Sequence, residues 1–102
     1  MTLHIVETDE LKGFTSDQIH VTSLVNTNDM RTLLLHLAAG QSVAPCQMPS
    51  TVLYYVIAGQ GRLQVGNEQA GLRTGSLVVV PAGAVRTISA AEPMRVLAIQ
   101  RL

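Results

Sequence analysis

Two stretches, GQSVAPCQMPSTVLYYVIAG (Gly40–Gly59) and GSLVVVPAGAVRTISA (Gly75–Ala90), decide the fold. Both begin at a glycine and are punctuated by proline. Between the punctuation lie β-branched and aromatic residues, which favour a pleated, half-buried surface. The run Val52–Ala58, VLYYVIA, reads as a strand. Gly59-Gln60 is expected as a two-residue turn into a strand over Gly61–Val65, pairing Ala58 with Gly61, Val56 with Leu63 and Tyr54 with Val65. That pairing turns Val52, Tyr54, Val56, Leu63 and Val65 inward and leaves Arg62 and Gln64 outside. The outer row Leu53, Tyr55, Ile57 is apolar as well and needs a cover. Gly66-Asn67 turns into a short strand at Gln69–Leu72. Leu77–Val80 reads as a strand buried on both faces, Pro81-Ala82-Gly83 as a tight turn. Strands over Val85–Ser89 and Arg95–Arg101 follow, joined by a loop at Ala90–Pro93.

Upstream, Met1–Val6 is β-prone and suits an edge strand, and polar Glu7–Gln18, broken by Gly13, reads as a loop with one helical turn. Ile19–Asn26 and Met30–Ala38 form a hairpin around Thr27-Asn28-Asp29, with Asn26 facing Met30 and His20 opposite His36. One face then carries Ile19, Val21, Val25, Leu33, Leu35 and Leu37 toward the core, with Ser23 and Arg31 as its polar members. The other face carries His20, Thr22, Leu24, Thr32, Leu34 and His36. Many short strands without an amphipathic helix mean an all-β barrel or jelly roll, one domain over residues 1–102.

The composition supports a folded chain: 47% of residues are hydrophobic and only 14% charged, with a formal charge of zero. The basic residues are scattered, so no nucleic-acid footprint exists. No apolar run reaches membrane length, and MTLHIVETDE has no signal-peptide core. With a single cysteine, no intrachain disulfide forms, and the cytoplasm is the expected compartment. The high apolar fraction points to surface covered by a second copy of the chain, a homodimer.

The framework of Gly40, Gly59, Gly75, Pro81 and Gly83 resembles the two motifs of the cupin superfamily, small jelly-roll β-barrel proteins. In that family the first motif carries two alternate histidines and a glutamate, and the second, G-x5-P-x-G, is followed by a further histidine. Together these hold a transition metal. At the matching positions this chain has Cys46, Met48, Val52 and Arg86. The resemblance therefore implies the barrel and puts the family's metal-dependent dioxygenase, isomerase and decarboxylase chemistries in doubt. It also implies that Arg86 points into the barrel beside Cys46 and Met48.

The leading reading is a non-catalytic, metal-free domain binding a small, anionic molecule. Arg86 would anchor the anion, with Tyr54, Cys46, Met48, Val52, Val56 and Leu63 as lining. Against it stands Arg86 snorkelling to the mouth or pairing with a carboxylate such as Glu92. A second reading is a cupin-type metalloenzyme with soft ligands, Cys46 and Met48 joined by His36, holding a metal such as Cu. An isomerase-like protein using Tyr54 and Arg86 without metal, or a reactive Cys46 thiolate, are further enzymatic options. The opposed His20 and His36 are either a two-imidazole metal site or a surface feature. A third reading is a structural or regulatory dimer with a packed barrel.

Overall fold

The β-branched runs separated by glycine and proline fold as strands throughout the computed structural model, which describes residues 3–102. In chain order these are β1 (His20–Asn26), β2 (Met30–Leu37), β3 (Val52–Ala58), β4 (Gln60–Val65), β5 (Glu68–Arg73), β6 (Leu77–Val80), β7 (Arg86–Ala90) and β8 (Met94–Arg101). A five-stranded sheet, β1-β2-β8-β3-β6, faces a three-stranded sheet, β5-β4-β7. The pairings are antiparallel. The result is the all-β jelly roll that the motifs led us to expect. The only helical turn among the described residues is a short 3-10 turn at Thr8–Glu10, inside the N-terminal loop.

The core lies between the sheets. From the large sheet come Leu35 and Leu37 of β2, Val52, Tyr54 and Val56 of β3, and Met94, Val96 and Ala98 of β8. Leu63, Leu72, Ile88 and Ala90 answer from the small sheet. Each large apolar side chain so buried contributes roughly 1.5–3 kcal/mol relative to exposure. The inward set expected for β3 and β4 is correct: Val52, Tyr54, Val56 and Leu63 are buried and Val65 packs partly against them.

Its pairing is not. β3 and β4 do not form a hairpin; β3 pairs with β8 and β6, and β4 with β5 and β7. Alternation records which residues face inward, but not across which gap, so it is satisfied equally by two strands on opposite walls. Gly59 makes the crossing. Its φ is +95°, and a Cβ there would sit 2.1 Å from the Pro93 carbonyl oxygen. The chain thus leaves one sheet for the other against the β7–β8 loop, with the Gly59 amide donating to Thr74 Oγ1 at 3.1 Å.

Four other expectations change. β6 is not buried on both faces: Leu77 and Val79 are 61% and 60% exposed, while Val80 is buried, because β6 is an edge of the large sheet. Residues 3–7 form no strand, since Leu3 and Ile5 stand in solvent with nothing to pair against; Met1 and Thr2 lie outside the described residues. His20 does oppose His36, but the register shifts between Ser23 and Val25, so Asn26 faces Arg31 rather than Met30. Val21 is largely exposed, whereas Leu34 and His36, on the outer face of β2, are fully buried.

The Gly59 crossing is testable. Gly59→Ala should lower the unfolding free energy by roughly 3 kcal/mol, combining left-handed strain with a backbone clash. Denaturant titration measures it, and a loss below about 1 kcal/mol would show that the crossing tolerates a side chain.

Candidate functional site in the barrel interior

The irregular segment after Gly40 runs antiparallel along β7 as a broken extra strand. Val43 N–H donates to the Ile88 carbonyl at 2.8 Å, and Cys46 and Arg86 exchange main-chain hydrogen bonds at 3.0 and 2.9 Å. That exchange sets Cys46 directly opposite Arg86. The tight turn then closes on the same segment, with Gly83 N–H donating to the Met48 carbonyl at 2.9 Å. Two motifs far apart in sequence are zipped together by their backbones.

Arg86 is 1% exposed. Its side chain leaves β7 on the small sheet and reaches β3 on the large one. Nε–H donates to the Ala84 carbonyl at 2.9 Å, Nη1–H to the Tyr54 hydroxyl oxygen at 3.3 Å and Nη2–H to the Pro81 carbonyl at 3.4 Å. All these acceptors are neutral, and two of the contacts are long. A guanidinium has five N–H donors, so the set is incomplete. Among the described residues the recorded ion pair is Arg95 with Asp9, on the outside of the large sheet, and Glu92 is exposed in the β7–β8 loop. Arg86 neither snorkels to solvent nor pairs with a carboxylate. It is a buried cation whose counter-charge the described residues do not supply.

Around it the residues singled out from the sequence divide by depth. Val52, Tyr54, Val56 and Leu63 are core, whereas Cys46 and Met48 are half-buried, Met48 lying against the core. His36 is elsewhere. It sits on the outer face of β2 with Phe14 edge-on at 4.9 Å between ring centroids and His20 at 6.3 Å. The soft-ligand grouping of Cys46 and Met48 with His36 is therefore not brought together, because β2 turns alternate side chains to opposite faces of the sheet.

Sequence reading missed two features. The first is a cleft of about 370 Å³ between β4–β5 and the β6 edge, lined by Leu63, Val65, Glu68, Val78, Val80 and Pro81. It reaches Arg86 indirectly, through the Pro81 carbonyl and through Val78, which pairs with Tyr54. Nothing local in the sequence marks it, since it forms where two sheet edges part. The second is the packing of the N-terminal loop on His36, for which Gly13 was the one available signal.

Residues 33–100 match the sequence model of the Cupin domain family. This chain is a cupin. No curated protein sequence matches it. By structure it is similar to TT1209 from Thermus thermophilus, at TM-score 0.87 and 23% identity over 95% of each chain. It is also similar to a conserved protein with a double-stranded β-helix domain from Klebsiella pneumoniae, at TM-score 0.87 and 22% identity over 96% of this chain and 89% of that one. Salicylate 1,2-dioxygenase from Pseudoaminobacter salicylatoxidans matches at TM-score 0.77 and 17% identity, over 90% of this cupin and 27% of the larger chain. At these identities the likeness establishes the barrel and not its chemistry.

A metal at the cupin ligand positions does not fit the groups present. Val52 has no donor atom, and Arg86 brings a fixed positive charge hydrogen-bonded into place. Two sulfurs at the barrel wall leave a cation short of ligands. No cluster of three or more His, Cys, Asp or Glu side chains exists among the described residues.

Replacing even a buried ion pair by well-packed apolar residues is often neutral or stabilising, and Arg86 has no charged partner to offset its desolvation. Arg86→Met should therefore hold or raise the unfolding free energy, by about 1 kcal/mol or more. A loss above about 3 kcal/mol in denaturant titration would make Arg86 a structural keystone instead.

Proposed function

We propose that this cupin domain is a metal-free, non-catalytic binding domain for a small organic carboxylate. The observation that carries the reading is Arg86, 1% exposed and without an anionic partner. A carboxylate entering through the cleft would replace the 3.4 Å contact between Nη2 and the Pro81 carbonyl by a charge-assisted, bidentate pair. The Tyr54 hydroxyl accepts from Nη1, which leaves its own proton free to donate to the same anion. Leu63, Val65, Val78 and Val80 would take the apolar remainder of the ligand. Binding rather than turnover is favoured because the hydrogen-bond partners of Arg86 are the Tyr54 hydroxyl and two main-chain carbonyls, with no imidazole or carboxylate among them to move a proton. The solved relative named for salicylate suggests an aromatic carboxylate as a first probe.

The outer face of the large sheet supports a further reading, a homodimer. Leu77 and Val79 of β6 lie beside Tyr55 and Leu53 of β3, which in turn neighbour Leu97 and Ile99 of β8. The patch is continuous, apolar and free of charge, and an isologous pair would bury it on itself.

Two outcomes follow. Benzoate or salicylate at millimolar concentration should raise the melting temperature by about 5 °C, with benzamide without effect. The same carboxylates should leave Arg86→Met unmoved; equal shifts in both proteins would dissociate binding from Arg86. Light scattering should find the wild-type chain dimeric and Leu77→Glu monomeric, and a monomeric wild type would remove the sheet-face dimer.

A further inference from the structure

The N-terminal segment from Thr8 to Thr15 is strapped across the outer face of the large sheet and fastened at both ends. At one end Arg95 of β8 pairs with Asp9 at 3.1 Å and donates to the Thr8 carbonyl. At the other, Gln41 Nε2–H donates to the Thr15 carbonyl at 2.7 Å, while its Oε1 accepts from Ala38 N–H at 2.8 Å. Midway the strap touches the histidine pair. A Cβ on Gly13 would stand 2.5 Å from His20 Cδ2 and 2.7 Å from His36 Nδ1, so only glycine lets the main chain lie this close. Phe14 covers His36 edge-on.

Beneath the strap, His36 is 1% exposed and neither ring nitrogen has a hydrogen-bond partner. An unpartnered buried polar group is costly, and a charged one far more so. The groups facing it are of one sign or already engaged. β1 presents His20 and β8 presents Arg95, while the strap brings Lys12 and Asp9 along the adjoining groove. Asp9 is the one carboxylate there, and it is held by Arg95.

We propose that this strap is a pH-operated cover, docked while His36 is neutral and released when His36 takes a proton. Protonation would put a cation among Arg95, His20 and Lys12, under a segment whose one favourable influence, the Leu11 main chain, completes no hydrogen bond to the ring. Release lets water reach the ring and exposes the part of the sheet that the strap covers. Burial, then Arg95, then His20 hold the His36 pKa below its ordinary 6.5. The nearby Leu11 main chain pulls the other way, by less than burial or Arg95 but more than His20, without completing a hydrogen bond. The undocked state therefore binds the proton more readily than the docked one. Docking is strongest above about pH 6.5 and is lost as pH falls toward the lowered value.

Hydrogen exchange of the full chain, corrected for intrinsic rates, tests this at about pH 7.5 and about pH 5. Protection of the Leu11 amide, which donates to the Thr8 carbonyl, should be lost on acidification, while the β3 and β8 amides stay protected. In His36→Leu the Leu11 amide should stay protected at both pH values. Unchanged wild-type protection would overturn the proposal. So would an equal fall in His36→Leu, since Asp9 and His20 remain in that variant. Should His36→Leu fail to fold, NMR titration of the wild type decides. The His36 ring resonance and the strap amides must move with one midpoint, and a ring that titrates while the strap amides stay still contradicts the switch.

Discussion

Arg86 leaves the small sheet and ends on Tyr54 of the large one, so a permanent cation lies across the gap that holds the two layers together. The backbone around it is arranged to hold that side chain rather than to neutralise it. Cys46 and Arg86 exchange main-chain hydrogen bonds, and the Pro81 turn offers a carbonyl at 3.4 Å. Neutral oxygens solvate a guanidinium only in part, and the shortfall is the free energy an incoming anion would recover. In the cupin frame the same place calls for a cation's ligands. Here the charge belongs to the protein, which inverts what the interior can attract.

The fold was legible because its signals are local. Glycine and proline at Gly40, Gly59, Gly75, Pro81 and Gly83 mark the corners, and inward alternation picked out Val52, Tyr54, Val56 and Leu63. What alternation lacks is a record of partner. It allowed a β3–β4 hairpin where the chain crosses between sheets at Gly59, and it read β6 as doubly buried although Leu77 and Val79 face outward from an edge. The site was legible only through the family frame, which set Arg86 beside Cys46 and Met48. The cleft at the β6 edge was not, since it belongs to no one segment. The β1–β2 register did place His36 on the face away from the core, as found, but nothing in it showed that the N-terminal segment would bury the ring there.

The two halves of the outer face of the large sheet behave differently. Over β1, β2 and the start of β8, the strap covers a buried imidazole through a glycine contact. Over β3, β6 and the end of β8, the surface is apolar, with Leu77 and Val79 standing in solvent. The chain thus supplies a cover for the polar half and leaves the apolar half exposed. No helix of the described residues is long and apolar enough to cross a membrane.

The central claim is that the buried guanidinium of Arg86 is an anchor for a carboxylate. The direct measurement is the Nε–H resonance of Arg86 by 15N-resolved NMR during titration with benzoate, assigned by its loss in Arg86→Met. A saturable shift that follows the benzoate concentration, accompanied by the Tyr54 ring signals, is the predicted result. An Arg86 resonance that stays fixed while benzoate reaches tens of millimolar, or that moves no more than those of the surface arginines, would contradict it.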